Sequence, residues 1–448
     1  MGNQNLTPSI THKYPTYRDA ILKTGHTWLA GRRKDENAEG LWRIHDKLYD
    51  LTNFVDIHPG GEDWLKLTKG CDITEAFESH HISVKPEKLL QYYFVRNASK
   101  PRNSKLTFAE DGFYKTLKRR VAAKMPAVNK NRRRDERKSK FIQDSLLLLT
   151  LVMAGLVGRF PNSWALIILA GIVMTGTIIT AHNFFHKRDN WRMKIFNLCL
   201  MSFREWRISH VLSHHQFPNS LSDLEVSFME PFLMHSVYPK KNFVQRYGSW
   251  AYEWLIYSVI YSNEAIKRTI MSIVFRKNYW HLDEILIPLV VPTTIYLFGG
   301  PNLTILASFK LWFWILTAAS AFFGLITINA AHHPLGAFHE GDPVRDDMDF
   351  GVFQLDSVVE RDGLKKSLLL VLTHFGDHGM HHLFPTLDHA ILPHFNDIFV
   401  KTCEEFGLEP QRSDWFELFK EQHLQLARTK PKKCPIGSNI DTNKNVMK

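Results

Sequence analysis

Four long, nearly uncharged runs, Ser145–Gly158, Ser163–Ala181, Ile285–Gly300 and Leu303–Ala331, all lie after residue 140. About 20 apolar residues cross a hydrocarbon core, and inside lipid the backbone must satisfy itself as helix. The last three runs approach or exceed that length and the first reaches it with its flanks, so four spans are expected. The first 140 residues hold no comparable run. A chain of 448 residues with 44% hydrophobics but a mean hydropathy of only −0.21 is therefore read as a soluble unit followed by a membrane bundle. No apolar segment precedes the spans, and a cleaved signal peptide is not expected.

The net charge of +11 could suit a nucleic acid, but its placement suits a membrane. Seven of the cations lie between Lys130 and Lys140, directly before the first span, whereas the turn after that span has only Arg159. That asymmetry puts both termini and the middle loop in the cytosol, with anionic lipid headgroups and no nucleic acid as the partner. Cys71, Cys199, Cys403 and Cys434 show no paired spacing, which fits a reducing compartment. The chain divides into a polar lead (1–23), a small α+β unit (24–97), a basic linker (98–140), a helical membrane domain (141–400), a cytosolic segment (401–430) and a disordered tail (431–448). The linker is expected to act as a tether, giving the first unit an effective concentration that reaches about millimolar for a short flexible chain.

Twenty-three histidines are many for this length, and three clusters carry ligand spacing. His182 and His186 form HxxxH, His210, His214 and His215 form HxxxHH, and His378, His381 and His382 form HxxHH. Residues three or four apart share a helix face, so each cluster aims two imidazoles at one point, while the adjacent histidine is turned toward a second. His182 follows the second span and His332 the fourth, so both exits and all the clusters fall on one side of the membrane. A closed zinc site needs four ligands, and eight or nine imply two metals. Imidazole suits iron, zinc, copper or nickel by ligand type, and redox iron is the economical choice given the segment upstream.

In that segment, His58-Pro59-Gly60-Gly61 follows Leu51–Val55, and His80 and His81 come about twenty residues later. With Trp42, Leu48–Asp50 and Asp72–Phe77, residues 27–96 resemble a cytochrome b5 domain. The resemblance implies haem b held by His58 and His81. His80 stays an alternative, because the usual Gly-His-Ser context is replaced by His80-His81-Ile82. A haem with both axial positions filled relays electrons and leaves oxygen alone. Glu62, Asp63, Asp72, Glu75 and Glu78 are expected around its edge, where they would steer a basic NADH-cytochrome b5 reductase.

The clusters, the spans and Asn329-Ala-Ala-His332 together resemble the membrane fatty acid desaturase family over residues 141–400. The implied architecture is an α+β cytochrome b5-like haem domain followed by an all-α, four-span membrane desaturase-like domain. The implied function is oxygen-dependent desaturation of an acyl lipid or acyl-CoA in the endoplasmic reticulum membrane. The implied ligands of two Fe ions are His182, His186, His210, His214, His215, His332, His378, His381 and His382, with His333 as an alternative to His332. A hydroxylase would use the same ligands, and a non-catalytic haem and metal protein would keep them. Front-end desaturases, which also carry the fused haem domain, usually begin the last cluster with Gln where this chain has His378, so the fusion does not fix the position of the double bond.

Overall fold

The computed structural model describes residues 7–237, 240–276, 279–327 and 332–437. Asn329, paired with His332 in the sequence reading, lies outside them, as do residues 438–448 of the expected tail.

The α+β unit is built on a three-stranded antiparallel sheet of Trp42–Ile44, Lys47–Tyr49 and Phe94–Asn97, with the second strand in the middle. Helices Glu62–Thr68, Thr74–His80 and Lys85–Leu90 surround a small core of Trp42, Ile44, Leu65, Ile73 and Phe77. The Trp42 indole is satisfied there by donating to the Leu65 carbonyl at 3.1 Å. Gly61, at φ 107°, makes the turn by which the chain leaves Pro59 and enters the next helix. A side chain would be strained in that backbone region.

The expected polar lead is, from residue 9 onward, a packed strap. Ser9 donates its amide and hydroxyl to Glu340 Oε1 at 2.7 and 2.6 Å, Tyr17 donates to the Leu221 carbonyl at 2.7 Å, and Trp28 to the Ser222 carbonyl at 2.9 Å. Ile10, Tyr17, Trp28 and Leu29 are buried in one core with Leu212, Phe338 and Phe353. These apolar residues are too thinly spaced to register as a pattern, yet each meets a partner far along the chain.

The expected linker is structure as well. Residues 113–140 open a single helix, Phe113–Arg159, of 47 residues, about 70 Å long. Phe113, Tyr114, Leu117 and Val121 form a buried stripe on its first turns. Beside that stripe, the Glu78 carboxylate accepts from Lys115 Nζ at 2.7 Å, Lys118 Nζ at 2.6 Å and His45 Nε2 at 2.8 Å. Burial alone would raise the Glu78 carboxyl, but His45, Lys118 and Lys115 outweigh it and hold it well below the usual carboxylate range. Arg102 likewise donates to Asp72 at 2.7 Å and Glu75 at 2.6 Å. Three of the five acids expected at the haem edge therefore lie inside the joint between the two units, and only Glu62 and Asp63 stay partly exposed.

Three of the described helices are long and apolar enough to cross a membrane: Phe113–Arg159, Trp164–Ala181 with the turn that extends it to Phe184, and Ile305–Thr327. The third expected span falls short of that standard. It forms Leu282–Phe298, 17 residues or about 26 Å, with Pro288 and Pro292 inside it. Its start is fixed by charge, since Arg204 pairs with Asp283 at 2.9 Å and Arg268 with Glu284 at 2.9 Å. The four helices still pack closely through small residues. A methyl group at Gly158 would collide with the Ile295 carbonyl, and one at Gly171 would lie 2.7 Å from Ala318 Cβ. Helix Ser249–Val274 buries Tyr257 and Tyr261 and exposes Leu255, Val259, Ile266 and Ile273. At the C-terminal end, Lys432 donates to the Ala337 carbonyl at 2.7 Å, so the described part of the expected tail is anchored.

Candidate metal centre and haem pocket

Beyond Ala181 the chain tightens into a 3-10 turn, His182–Phe184, that carries His182 and His186 inward. The second cluster lies on Arg207–His214, which winds as a π-helix and closes with a wide bond from the His215 amide to the His210 carbonyl at 2.9 Å. The wider turn regroups the cluster. His215 Nε2 comes within 3.1 Å of His210 Nε2, while His214 joins a different set. An α-helical reading had paired His210 with His214. In the third cluster, His378 and His382 share one face of helix His378–Leu383, and His381 points to the other set.

Two groups of four buried imidazoles result: His182, His186, His210 and His215, and His214, His332, His378 and His382. Within each group the ligand atoms lie within 4.8 Å of one another. His381 adjoins the first group, its Nε2 3.2 Å from His182 Nε2. His333 turns away and stacks on His235 with ring centroids 3.7 Å apart. All nine expected histidines thus converge, and the alternative at position 333 stands apart.

The outer nitrogens explain what the groups can hold. His214 Nδ1 faces Asp223 at 2.9 Å, His210 Nδ1 faces Glu225 at 3.1 Å, His332 Nδ1 the Ser357 carbonyl at 2.9 Å, and His382 Nδ1 Gln354 Oε1 at 2.9 Å. Each partner only accepts, so each Nδ1 carries the proton and each Nε2 presents a bare lone pair. Two such lone pairs face each other in His214 and His332 at 3.0 Å. Protonation is a poor remedy at most of these positions: burial holds His186, His210, His215, His332, His378, His381 and His382 well below the usual histidine range. His214 is the exception, raised because Asp223 and Glu225 outweigh burial. Neutral imidazoles with converging bare nitrogens fit cations, and the outer acceptors fix their rings. Asp223, Glu225, Gln354 and Ser357 carry no sequence motif, and only their nearness in space reveals them. His389 was missed too; its Nδ1 donates to Asn183 Oδ1 at 2.9 Å and its ring lies 4.5 Å from that of His381.

A second cavity, of about 480 Å³, lies in the α+β unit between His58 and His81, whose ring centroids are 6.2 Å apart. His58 Nδ1 donates to the Gly61 carbonyl at 2.7 Å and His81 Nδ1 to the Phe77 carbonyl at 2.9 Å, which leaves both Nε2 atoms bare. Burial pushes His81 down to about 4. Phe54, Leu65, Ile73 and Phe77 give the cavity apolar walls suited to a flat macrocycle. The remaining wall comes from the helical domain: His186, Lys187, Arg188, Leu212 and Thr386. His80 lies at that boundary, its ring centroid 6.0 Å from those of both Trp64 and His186. Burial pushes it down to about 3.

The fatty acid desaturase family model matches residues 159–412, more than half of the chain. The chain belongs to the fatty acid desaturase family. Residues 28–99 match the cytochrome b5-like haem/steroid binding domain. The cytochrome b5-related protein of Drosophila melanogaster is 45% identical over 424 residues, 94% of this chain and 96% of the relative. Delta(5) fatty acid desaturase A of Dictyostelium discoideum is 25% identical over 82% of this chain and 85% of its own length. For the acyl-lipid (8-3)-desaturase of Mortierella alpina the values are 23%, 91% and 98%. No solved structure gives a significant match.

In the desaturase domain a cavity of about 380 Å³ is lined in part by His210, His214, His332 and His378. Trp206, Phe228, Phe232, Ile256, Ile260 and Phe323 wall it with apolar surface, and Asn263, Glu264 and Lys267 supply polar groups along one side. A largely apolar cavity that borders these imidazoles is shaped to take a hydrocarbon segment beside them.

Proposed function

We propose that this protein is an oxygen-dependent acyl-lipid or acyl-CoA desaturase that receives electrons through its own haem domain. The observation that carries this reading is the meeting of two buried imidazole groups with the wall of a largely apolar cavity. His182, His186, His210, His215 and His381 would hold one iron, and His214, His332, His378 and His382 the other. His58 and His81 would hold haem b. Iron, when bound, supplies the oxidant strong enough to take hydrogen from an unactivated methylene. Over one turnover the acyl chain gives up two hydrogens, and these, with two electrons and two protons, reduce one oxygen molecule to two waters.

The chain's own residues prepare that chemistry. Asp223, Glu225, Gln354 and the Ser357 carbonyl fix the imidazole tautomers before any metal arrives. Trp206, Phe228 and Phe323 line the cavity with apolar surface that would exclude water from a bound acyl chain. Electrons would come from an NADH-cytochrome b5 reductase docking on the outer side of the haem domain.

Four crossings belong to the same reading. Ile305–Thr327 is 23 residues long, about 35 Å, and ends just before His332, so its start lies far from the metal centre. The start of Leu282–Phe298 is tied by Arg204 and Arg268 to elements on the centre's side. The short turn between the two helices then requires Leu282–Phe298 to cross, with both termini in the cytosol at the endoplasmic reticulum. In sealed microsomes, added protease should remove tags from both ends. Protection of either tag would overturn this topology.

The direct experiment compares lipids from cells that express the wild type with those from cells that express a His381→Ala, His382→Ala protein. A new unsaturated acyl species should appear with the wild type alone, and the purified wild type should carry about two irons besides haem. An alcohol in place of an alkene would make the protein a hydroxylase. No lipid change together with full metal content would leave a non-catalytic haem and metal protein.

A further inference from the structure

The haem domain packs beside the imidazole groups, with the His80 ring centroid 6.0 Å from that of His186. Four of the nine convergent imidazoles have a partner on the outer nitrogen from the desaturase domain, namely His210, His214, His332 and His382. His186 has none: neither ring nitrogen has a hydrogen-bond partner, although the residue is 2% exposed. Once one nitrogen is given to a metal, the other must carry a proton, and a buried N–H without an acceptor is costly.

A buried ring nitrogen without a partner also lies nearby, in the other unit. His80 Nδ1 donates to the Ala76 carbonyl at 2.9 Å, a bond that fixes the proton on Nδ1 and leaves Nε2 as a bare acceptor. That Nε2 is buried and has no partner. The His80 and His186 rings are inclined at 34° with centroids 6.0 Å apart. A second pair of orphans repeats the arrangement, His381 Nδ1 and His389 Nε2, on rings 4.5 Å apart.

On the reading given above, in which His186 binds iron, we infer that His80 of the haem domain is the hydrogen-bond acceptor for His186 and so completes the metal centre. Haem-facing His81 and metal-facing His186 are then joined by one peptide link and one hydrogen bond. His80 acts here as a positioning residue, and its role is distinct from haem ligation.

The test uses the full-length protein loaded with haem and compares His80→Phe with His80→Gln. Phenylalanine keeps the ring packing and removes the acceptor, whereas the glutamine side-chain oxygen reaches about the place of Nε2. Zn²⁺ or Fe²⁺ retention against a chelator is measured without substrate, oxygen or reductant, and the haem spectrum is recorded in parallel. His80→Phe should keep the low-spin bis-imidazole spectrum and hold one of the two metal equivalents about 10–100-fold more weakly. His80→Gln should recover most of that loss. Unchanged retention in His80→Phe would overturn the inference. So would loss of the low-spin spectrum in both variants, since His80 would then be an axial ligand. A wild type that binds both metals and makes no product would sink the desaturase reading and leave this one intact.

Discussion

A His58→Ala protein should yield no product above background and should stay inactive when free cytochrome b5 and a reductase are added at micromolar levels. Read as a flexible tether, the sequence also predicts poor substitution at micromolar levels, but with a partial rescue that rises with carrier concentration. A haem domain on a flexible tether works by effective concentration, and a free carrier at high enough concentration replaces it. The structure removes the tether. Arg188 and His186 wall the haem cavity, Arg207 stacks over Trp64 with 4.7 Å from guanidinium to ring centroid, and from Phe113 onward the expected linker is helix packed into the core. A domain emptied of haem still covers the side of the metal centre from which electrons would arrive. Deleting residues 1–97 is a poorer experiment, because it also strips Tyr17, Trp28 and Leu29 from the core that holds Leu212 and Phe353. The measurement is product formation against carrier concentration, with metal content checked to show that the desaturase domain is intact. Activity that climbs with added carrier would mean that the haem domain swings clear.

The second large effect concerns Glu78. Replacing it with leucine leaves Lys115 and Lys118 without their shared carboxylate, in side chains only 11% and 7% exposed. Removing one partner of a buried ion pair typically costs about 3–5 kcal/mol, because a charge is left desolvated and unpaired. Glu62, paired with Lys66 on an open surface, is the control, and its loss should shift stability by less than about 0.5 kcal/mol. Urea unfolding followed at the haem absorbance reads both variants, and a wild-type midpoint for Glu78→Leu would dismiss the clamp. The acid dependence has a definite sign. The folded carboxyl titrates below its unfolded value, so the clamp is at full strength at neutral pH. It weakens as pH falls below the ordinary glutamate value of about 4.3 and is lost once the lower folded value is passed.

What the sequence revealed and what it hid follow from the range of the interactions. Spacing of three to five residues and an HPGG turn are local, and they led to the histidines the structure brings together. The regrouping of His210, His214 and His215 was hidden, because nothing in the residue types announces a π-helix. The outer acceptors were hidden for another reason: Gln354 meets His382 across 28 residues, and isolated polar residues of this kind are everywhere in a sequence. The charge-rich stretch from Lys130 to Lys140 gave the whole of 98–140 the look of a solvated linker. Its Lys115 and Lys118 are joined to Glu78 across 37 and 40 residues, so their burial could be seen only in the fold. The three-span outcome by length and composition reflects a third apolar run that was short already in the sequence: its helix, Leu282–Phe298, reaches 17 residues only by including a charged start.

The strap that begins at Ser9 also sets an order of events during synthesis. Its acceptor, Glu340, lies 331 residues downstream, and at about 5–20 residues per second a ribosome takes on the order of 20–60 seconds to cover that distance. The core around Trp42 and Phe77 has all its residues by position 100 and can close early. The strap cannot, and until residue 340 emerges Ile10 and Tyr17 lack the surface that covers them. The haem domain therefore waits as a finished but unlatched unit while the apolar helices are made, and a segment from the last quarter of the chain locks the first one in place.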